Sequence, residues 1–215
     1  MEPFSTLTGI AVPLLQADVN TDQIAPASPE ARSLHPDYAK LFFSRWRAGS
    51  DGTPDPAFVF NRPQFKAPKI LVAGENFGCG SSRESAVWAP MAVGIRCVVA
   101  RSFADTYREN CLKNGVLPIV VDPAAAAAFE AGVVAVDGSA AYTVDLQAQR
   151  ITAPDGTAVA FDISAAERTA LLEGLDDIGL TLKHADEIVR WESEAAARRP
   201  WLQHLRPPPA RTRTL

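Results

Sequence analysis

The 215-residue sequence predicts an α/β fold with a parallel core and an antiparallel hairpin part. Three observations lead there. Between residues 69 and 121, short apolar runs alternate with helix-like runs, giving strand–helix–strand–helix–strand. A glycine-rich stretch, "GENFGCGSSRE" (74–84), joins the first of these strands to its helix. Residues 140–162 alternate apolar and polar instead, and "PDG" at 154–156 marks a hairpin turn.

The elements follow in order. "TLTGIAVPLL" (6–15) reads as an early strand, and "QADVNTDQIAP" (16–26) as a polar, turn-rich loop. Residues 27–68 are rich in proline and predict long irregular loops, interrupted by a short helix at 38–46. "KILVA" (69–73), "IRCVVA" (95–100) and "VLPIVV" (116–121) are mostly apolar, as buried parallel strands are. A helix is expected from about Ser82. Another covers 102–115, with Gly115 as its stop. Further helices are expected at 122–132, 164–174 and 184–199. Residues 1–205 read as one domain, and 206–215 as a disordered, basic, proline-rich tail.

Composition removes several classes of function. Hydrophobic residues make up 47% and charged residues 21%, a soluble globular balance. The net charge of -4 argues against a general nucleic-acid binder. The start of the chain carries neither a basic segment nor a long apolar core, so a cytoplasmic protein without a membrane span is expected. Cys79, Cys97 and Cys111 are the only cysteines, and no CxxC occurs. Neither a disulfide framework nor a set of iron–sulfur or zinc ligands is indicated, and no metal is assigned to this chain.

The glycine-rich stretch between strand and helix is a place to receive an anion, because helix-start amides and the helix dipole both favour negative charge there. Ser81, Ser82 and Arg83 add two hydroxyls and a guanidinium, suited to gripping a carboxylate. Named motifs do not fit. "GCGSSR" lacks the third glycine of GxGxxG, and Arg101 stands where a ribose-binding acid would follow the next strand. There is no GK[ST] and no GxSxG. Ser81 and Glu84 also have the spacing of a capping box, which would make the stretch a helix start and nothing more. A thiol enzyme built on Cys79 ranks low, since none of His35, His184 and His204 stands in a motif that pairs it with Cys79.

Read together, "GENFGCGSSRE", "VPLLQADVNTDQIAP", "RSFADTYRENCLKNGVLPI" and "GLDDIGLTLKHADEI" resemble the small subunits of the isopropylmalate isomerase family, in the aconitase superfamily. The resemblance runs to about residue 193. It implies a swivelling β/β/α domain and a large-subunit partner that holds a [4Fe–4S] cluster through its own cysteines. It also implies dehydration and rehydration of a small hydroxy-dicarboxylic acid. Carried over residue by residue, it makes Ser81 the catalytic base with Arg83 beside it. Ser82, Thr21, Asp22 and Arg32 become substrate-binding residues. Relatives typically continue "SREHAPWAL", where this chain has "SRESAVWAP". Ser85 and Pro90 therefore leave open a paralogue acting on another hydroxy acid, or a non-catalytic anion-binding module of the same fold.

Overall fold

A computed structural model describes residues 1–27 and 38–205. These fall into two compact units, the first Met1–Asp176 and the second beginning at Asp177.

In the first unit, strand β1 (Thr6–Leu14) leads into a one-turn helix, α1 (Thr21–Ile24). Helices α2 (Tyr38–Leu41) and α3 (Ser44–Arg47) follow, then β2 (Pro68–Ala73), α4 (Ser85–Ala92), β3 (Cys97–Ala100), α5 (Asp105–Lys113), β4 (Leu117–Val120) and α6 (Pro123–Val136). A meander of β5 (Tyr142–Asp145), β6 (Arg150–Thr152) and β7 (Ala158–Ala160) precedes α7 (Ala165–Glu173). The seven strands form one sheet in the order β4-β3-β2-β1-β5-β6-β7. Strands β1 to β4 are mutually parallel, while β5, β6 and β7 run antiparallel. The predicted fold class is therefore the observed one.

Strand β1 joins the two halves. Thr6–Gly9 pair with β5, and Ile10–Leu14 pair with β2 across a register irregularity at Ile10/Ala11. The period of two along each strand sends alternate residues to opposite cores. Val12, Leu71 and Val98 enter one core, with residues of α1, α2 and α4. Ala11, Ile70, Val72, Cys97 and Val99 enter the other, with Phe129 and Val133 of α6 and Leu171 of α7. Both faces of the parallel strands are largely covered, which is why their sequences read as mostly apolar runs.

Three expectations change in detail. The helix expected at 38–46 is broken at Phe43, whose φ is +50°. Its amide donates to the Ile24 carbonyl at 2.8 Å, and its ring packs against Phe42, Trp46 and Phe60. Burial of that ring outweighs continuation of a short helix. The same aromatic cluster takes in Phe58 and Phe60, so residues 58–65 pack as two 3-10 turns and not as loose loop. The stretch 16–26 contains α1, capped reciprocally by Asn20 and Gln23. The "PDG" turn forms as expected between β6 and β7, with Gly156 at φ +87°.

Helix α7 carries a titratable anchor. Arg108 of α5 donates to Glu167 at 2.7 and 3.3 Å, and Ser164 donates to the same carboxylate at 2.8 Å. The hydrogen bond from Arg108, ahead of those from Ser164, holds the Glu167 carboxyl below its ordinary value of 4.5. A depressed carboxyl stabilises the fold above its unfolded pKa, and that contribution is lost as pH falls through the folded value. Glu167→Gln is therefore expected to lower the melting temperature at pH 7. It is also expected to flatten the decline in melting temperature below about pH 4.5, measured from pH 7 to pH 3.

The second unit holds α8 (Asp177–Leu182), α9 (Ala185–Arg198) and a 3-10 turn, Pro200–Leu205. The proposed tail, 206–215, lies outside the described residues. No helix among the described residues is long and apolar enough to cross a membrane.

Candidate active site

The loops that leave the carboxyl ends of β1, β2 and β3 meet along one edge of the parallel sheet, the position where open α/β sheets receive ligands. Residues 74–84 form the middle loop. It is pinned on both sides by backbone. Gly78 N donates to Val19 O at 2.8 Å, and Thr21 N donates to Cys79 O at 2.9 Å. On the other flank Phe77 N donates to Ser102 O at 3.0 Å, and Ala104 N donates to Phe77 O at 3.0 Å. The Ser102 hydroxyl accepts from Asn76 N at 2.8 Å, while the Asn76 amide donates to Asp18 at 2.8 Å.

Glycine is required where this path bends. Gly78 has φ +79°, and a Cβ there would stand 2.1 Å from the Tyr107 ring. Gly74 passes so close to the chain at Leu15 and Gln16 that a Cβ would meet the Gln16 carbonyl at 2.5 Å. Both close approaches bring the loop down onto its neighbours and leave Ser81 and Ser82 exposed at its tip.

The helix after the loop starts later than expected, at Ser85. Glu84 occupies the N-cap position, and no side chain caps the helix. The Ser81–Glu84 capping box therefore does not form. Ser81 lies three residues before the cap, and its side chain is not spent on starting the helix. Among the described residues, the amides of Ser81, Ser82, Arg83 and Glu84 have no hydrogen-bond acceptor. Pro90 lies inside α4, two residues before its end, and its carbonyl accepts from Ile95 N at 3.0 Å.

The sequence-predicted residues Ser81, Ser82, Arg83, Thr21 and Asp22 are brought together, although some sixty residues separate the two groups. Arg83 Nη2 donates to Asp22 Oδ1 at 2.5 Å. Among the described residues, Arg83 Nε is buried without a hydrogen-bond partner, a donor with capacity left over. Thr21 is arranged differently from a substrate-touching residue. It is 2% exposed, and its hydroxyl donates to the Ser81 carbonyl at 2.9 Å. The hydroxyl holds the Ser81 backbone in place. Thr21→Val, which keeps the shape and removes this bond, is expected to cost about 1 kcal/mol of stability in urea melts. It is also expected to lower kcat several-fold. Arg32 lies outside the described residues.

Asn20 was missed as a site residue. It caps α1 and bridges to Cys79, and the N-x-x-Q spacing from Asn20 to Gln23 was the readable signal. The Asp18–Asn76–Ser102 brace had no sequence signal, since it joins three loops.

Arg101 and two of the three cysteines are committed elsewhere. Arg101 forms a two-point pair with Glu130, at 2.7 and 2.6 Å. Cys97 and Cys111 are buried, and burial pushes both thiols up, Cys111 to about 12, so neither is a thiolate near neutral pH. Among the described residues, no group of three or more His, Cys, Asp or Glu side chains is placed to hold a metal ion.

This chain is similar to known proteins over most of its length. The Aconitase C-terminal domain family matches residues 1–124, which include the whole loop edge. The LeuD_N model matches 138–165, and the model for the C-terminal domain of 3-isopropylmalate dehydratase small subunits matches 177–204. The 3-isopropylmalate dehydratase small subunit of Sinorhizobium fredii is 48% identical over 94% of this chain and 100% of its own length. That of Rhizobium meliloti is 46% identical with the same coverage. A crystal structure of 3-isopropylmalate dehydratase from Methanocaldococcus jannaschii superposes with a TM-score of 0.58 at 25% identity, covering 87% of this chain and 99% of that one. On sequence over its length, and on a fold that sets Ser81 and Arg83 at the edge of its parallel strands, this chain belongs to the 3-isopropylmalate dehydratase small-subunit family.

Proposed function

We propose that this chain is the small subunit of a cytoplasmic two-chain hydro-lyase that isomerises 2-isopropylmalate to 3-isopropylmalate in leucine biosynthesis. The observation that carries the reading is the loop tip. Two exposed serines, a run of amides without acceptors among the described residues and a guanidinium with a donor left over there stand together where no capping role explains them.

On this reading the [4Fe–4S] cluster is held by the large subunit, which the likeness to small subunits of the aconitase superfamily supports. When bound there, it supplies a Lewis acid for the leaving hydroxyl. The residues of this chain do the rest. Ser81 Oγ takes the proton from the carbon beside a substrate carboxylate and, in the rehydration half, gives a proton to the neighbouring carbon that lost the hydroxyl, while water adds at the first. A serine is a weak base unless its anion is stabilised, and the adjacent amides and the Arg83 guanidinium are the groups that stabilise it. Ser82 and the remaining Arg83 donors hold a carboxylate of the substrate. Asp22 orients Arg83 from below, and Thr21 fixes the backbone from which Ser81 projects.

The test is substrate choice. The assembled two-chain enzyme, reconstituted anaerobically with iron and sulfide, is offered 2-isopropylmalate and, separately, methylmalates. Turnover of isopropylmalate with little turnover of the shorter acids supports the reading. Turnover of methylmalates alone overturns it, and makes Ser85 and Pro90 candidates for setting specificity.

A further inference from the structure

We infer that Asn76 is a positioning residue for the reaction, an inference that rests on the reading of Ser81 as the base. Through Asp18 and Ser102, Asn76 sets the loop that carries Ser81 against the loop that carries Asp22.

Along the glycine-rich loop, residues 76, 78 and 80 all lie in the left-handed region, with φ of +52°, +79° and +92°. Gly78 and Gly80 adopt this conformation at least cost. Asn76 does not, and a glycine in its place would ease the backbone. Keeping a side chain there implies a use for it, and the contacts show the use. Asn76 Nδ2 donates to Asp18 Oδ1 at 2.8 Å. Asp18 is left-handed as well, with φ +55°, and its own amide donates to Glu75 O at 2.9 Å. Two strained residues therefore hold each other across two loops, and asparagine and aspartate are the side-chain-bearing residues that tolerate this backbone best. On the other flank, Asn76 N donates to Ser102 Oγ at 2.8 Å. Asn76 is thus tied to the loop after β1 and to the loop after β3 at once.

Position along the chain says what this tie governs. Asp18 comes shortly before Thr21 and Asp22, and Asn76 shortly before Ser81 and Arg83. Beyond the tie the same two loops meet through Gly78 N to Val19 O and Thr21 N to Cys79 O. They meet again at the tip, where Thr21 holds the Ser81 carbonyl and Asp22 holds Arg83. The base stands on one loop and the anchor of its guanidinium on the other, so their relative placement depends on how the loops are joined. The Asn76–Asp18 bond is exposed and adds little to global stability. Its effect is on geometry, and a displacement of about 1 Å at a reacting group costs about 10²-fold in rate.

The experiment uses the full-length chain. Three variants are compared with wild type. Asn76→Gly suits the backbone and removes only the side chain. Asn76→Asp sets two carboxylates against each other. Asn76→Asp combined with Asp18→Asn restores the bond with donor and acceptor exchanged. With the large subunit, kcat and KM are measured on 2-isopropylmalate and on methylmalates. On the free chain, melting temperature and amide hydrogen exchange are measured. Asn76→Gly is expected to lower kcat by roughly 10- to 100-fold, with KM and melting temperature little changed. Exchange at the Gly78 and Thr21 amides is expected to rise by about tenfold, while amides within β2 and β3 keep their wild-type protection. Asn76→Asp is expected to lower kcat at least as far, and the double variant to return to within about threefold of wild type. A kcat for Asn76→Gly within about twofold of wild type overturns the inference and leaves the reading of Ser81 intact. So does a failure of Asp18→Asn to restore Asn76→Asp, since the side chain then acts on the fold at large and not through this bond. An assembled wild-type enzyme inactive on every acid offered overturns both.

Discussion

Replacing Ser81 with alanine is expected to lower kcat of the assembled enzyme by roughly 10²- to 10⁴-fold, the range over which a positioned acid–base group acts. KM is expected to change little, because Ser82 and Arg83 still hold the substrate carboxylate. Stability is expected to be untouched. The Ser81 side chain is exposed and does not cap α4, and the contact that fixes this residue uses its carbonyl. The split between kcat and KM separates a base from a binding residue. It also separates the base from its support. Thr21→Val acts on the same step through the backbone, so it is expected to lower both kcat and stability by modest amounts.

Gly78→Ala is expected to lower stability by about 3 kcal/mol, read as a shift in the urea midpoint. Two costs combine. A side chain at φ +79° is strained by about 1 kcal/mol. A Cβ within 2.1 Å of the Tyr107 ring forces repacking of a fully buried aromatic, at about 2 kcal/mol. Tyr107 has nowhere to go, because it packs edge-on against Phe77 and stacks with Phe103. Gly80→Ala provides the comparison. Its φ is +92°, but a Cβ there meets nothing closer than 3.5 Å, so only the backbone cost of about 1 kcal/mol is expected. The Gly78 substitution displaces the loop that carries Ser81, so activity is expected to fall further than stability alone explains.

Local rules carried the sequence reading well where one segment determines its own structure. Mostly apolar runs at 69–73, 95–100 and 116–121 announced strands buried on both faces, and that is where β2, β3 and β4 lie. Alternation and "PDG" announced the meander. Where several segments meet, the same rules had less to work with. The S-x-x-E spacing at Ser81 satisfies a capping box by pattern, yet the loop's closures onto Val19 and Ser102 carry it past the point where a helix could begin. Phe43 breaks a helix that its local sequence allows, because its ring belongs to a cluster assembled from four segments. Thr21 looked like a substrate contact from its place in a family pattern. Only the fold shows its hydroxyl turned inward to the Ser81 carbonyl.

The measurement to make is a complementation assay with 2-isopropylmalate. This chain alone, the reconstituted large subunit alone and the two mixed are compared by following 3-isopropylmalate formation, with Ser81→Ala as a fourth sample. Turnover in the mixture only, rising to a plateau at one small chain per large chain and lost with Ser81→Ala, is the predicted result. Full turnover by the large subunit alone, or an undiminished rate with Ser81→Ala, would contradict a site whose base this chain supplies.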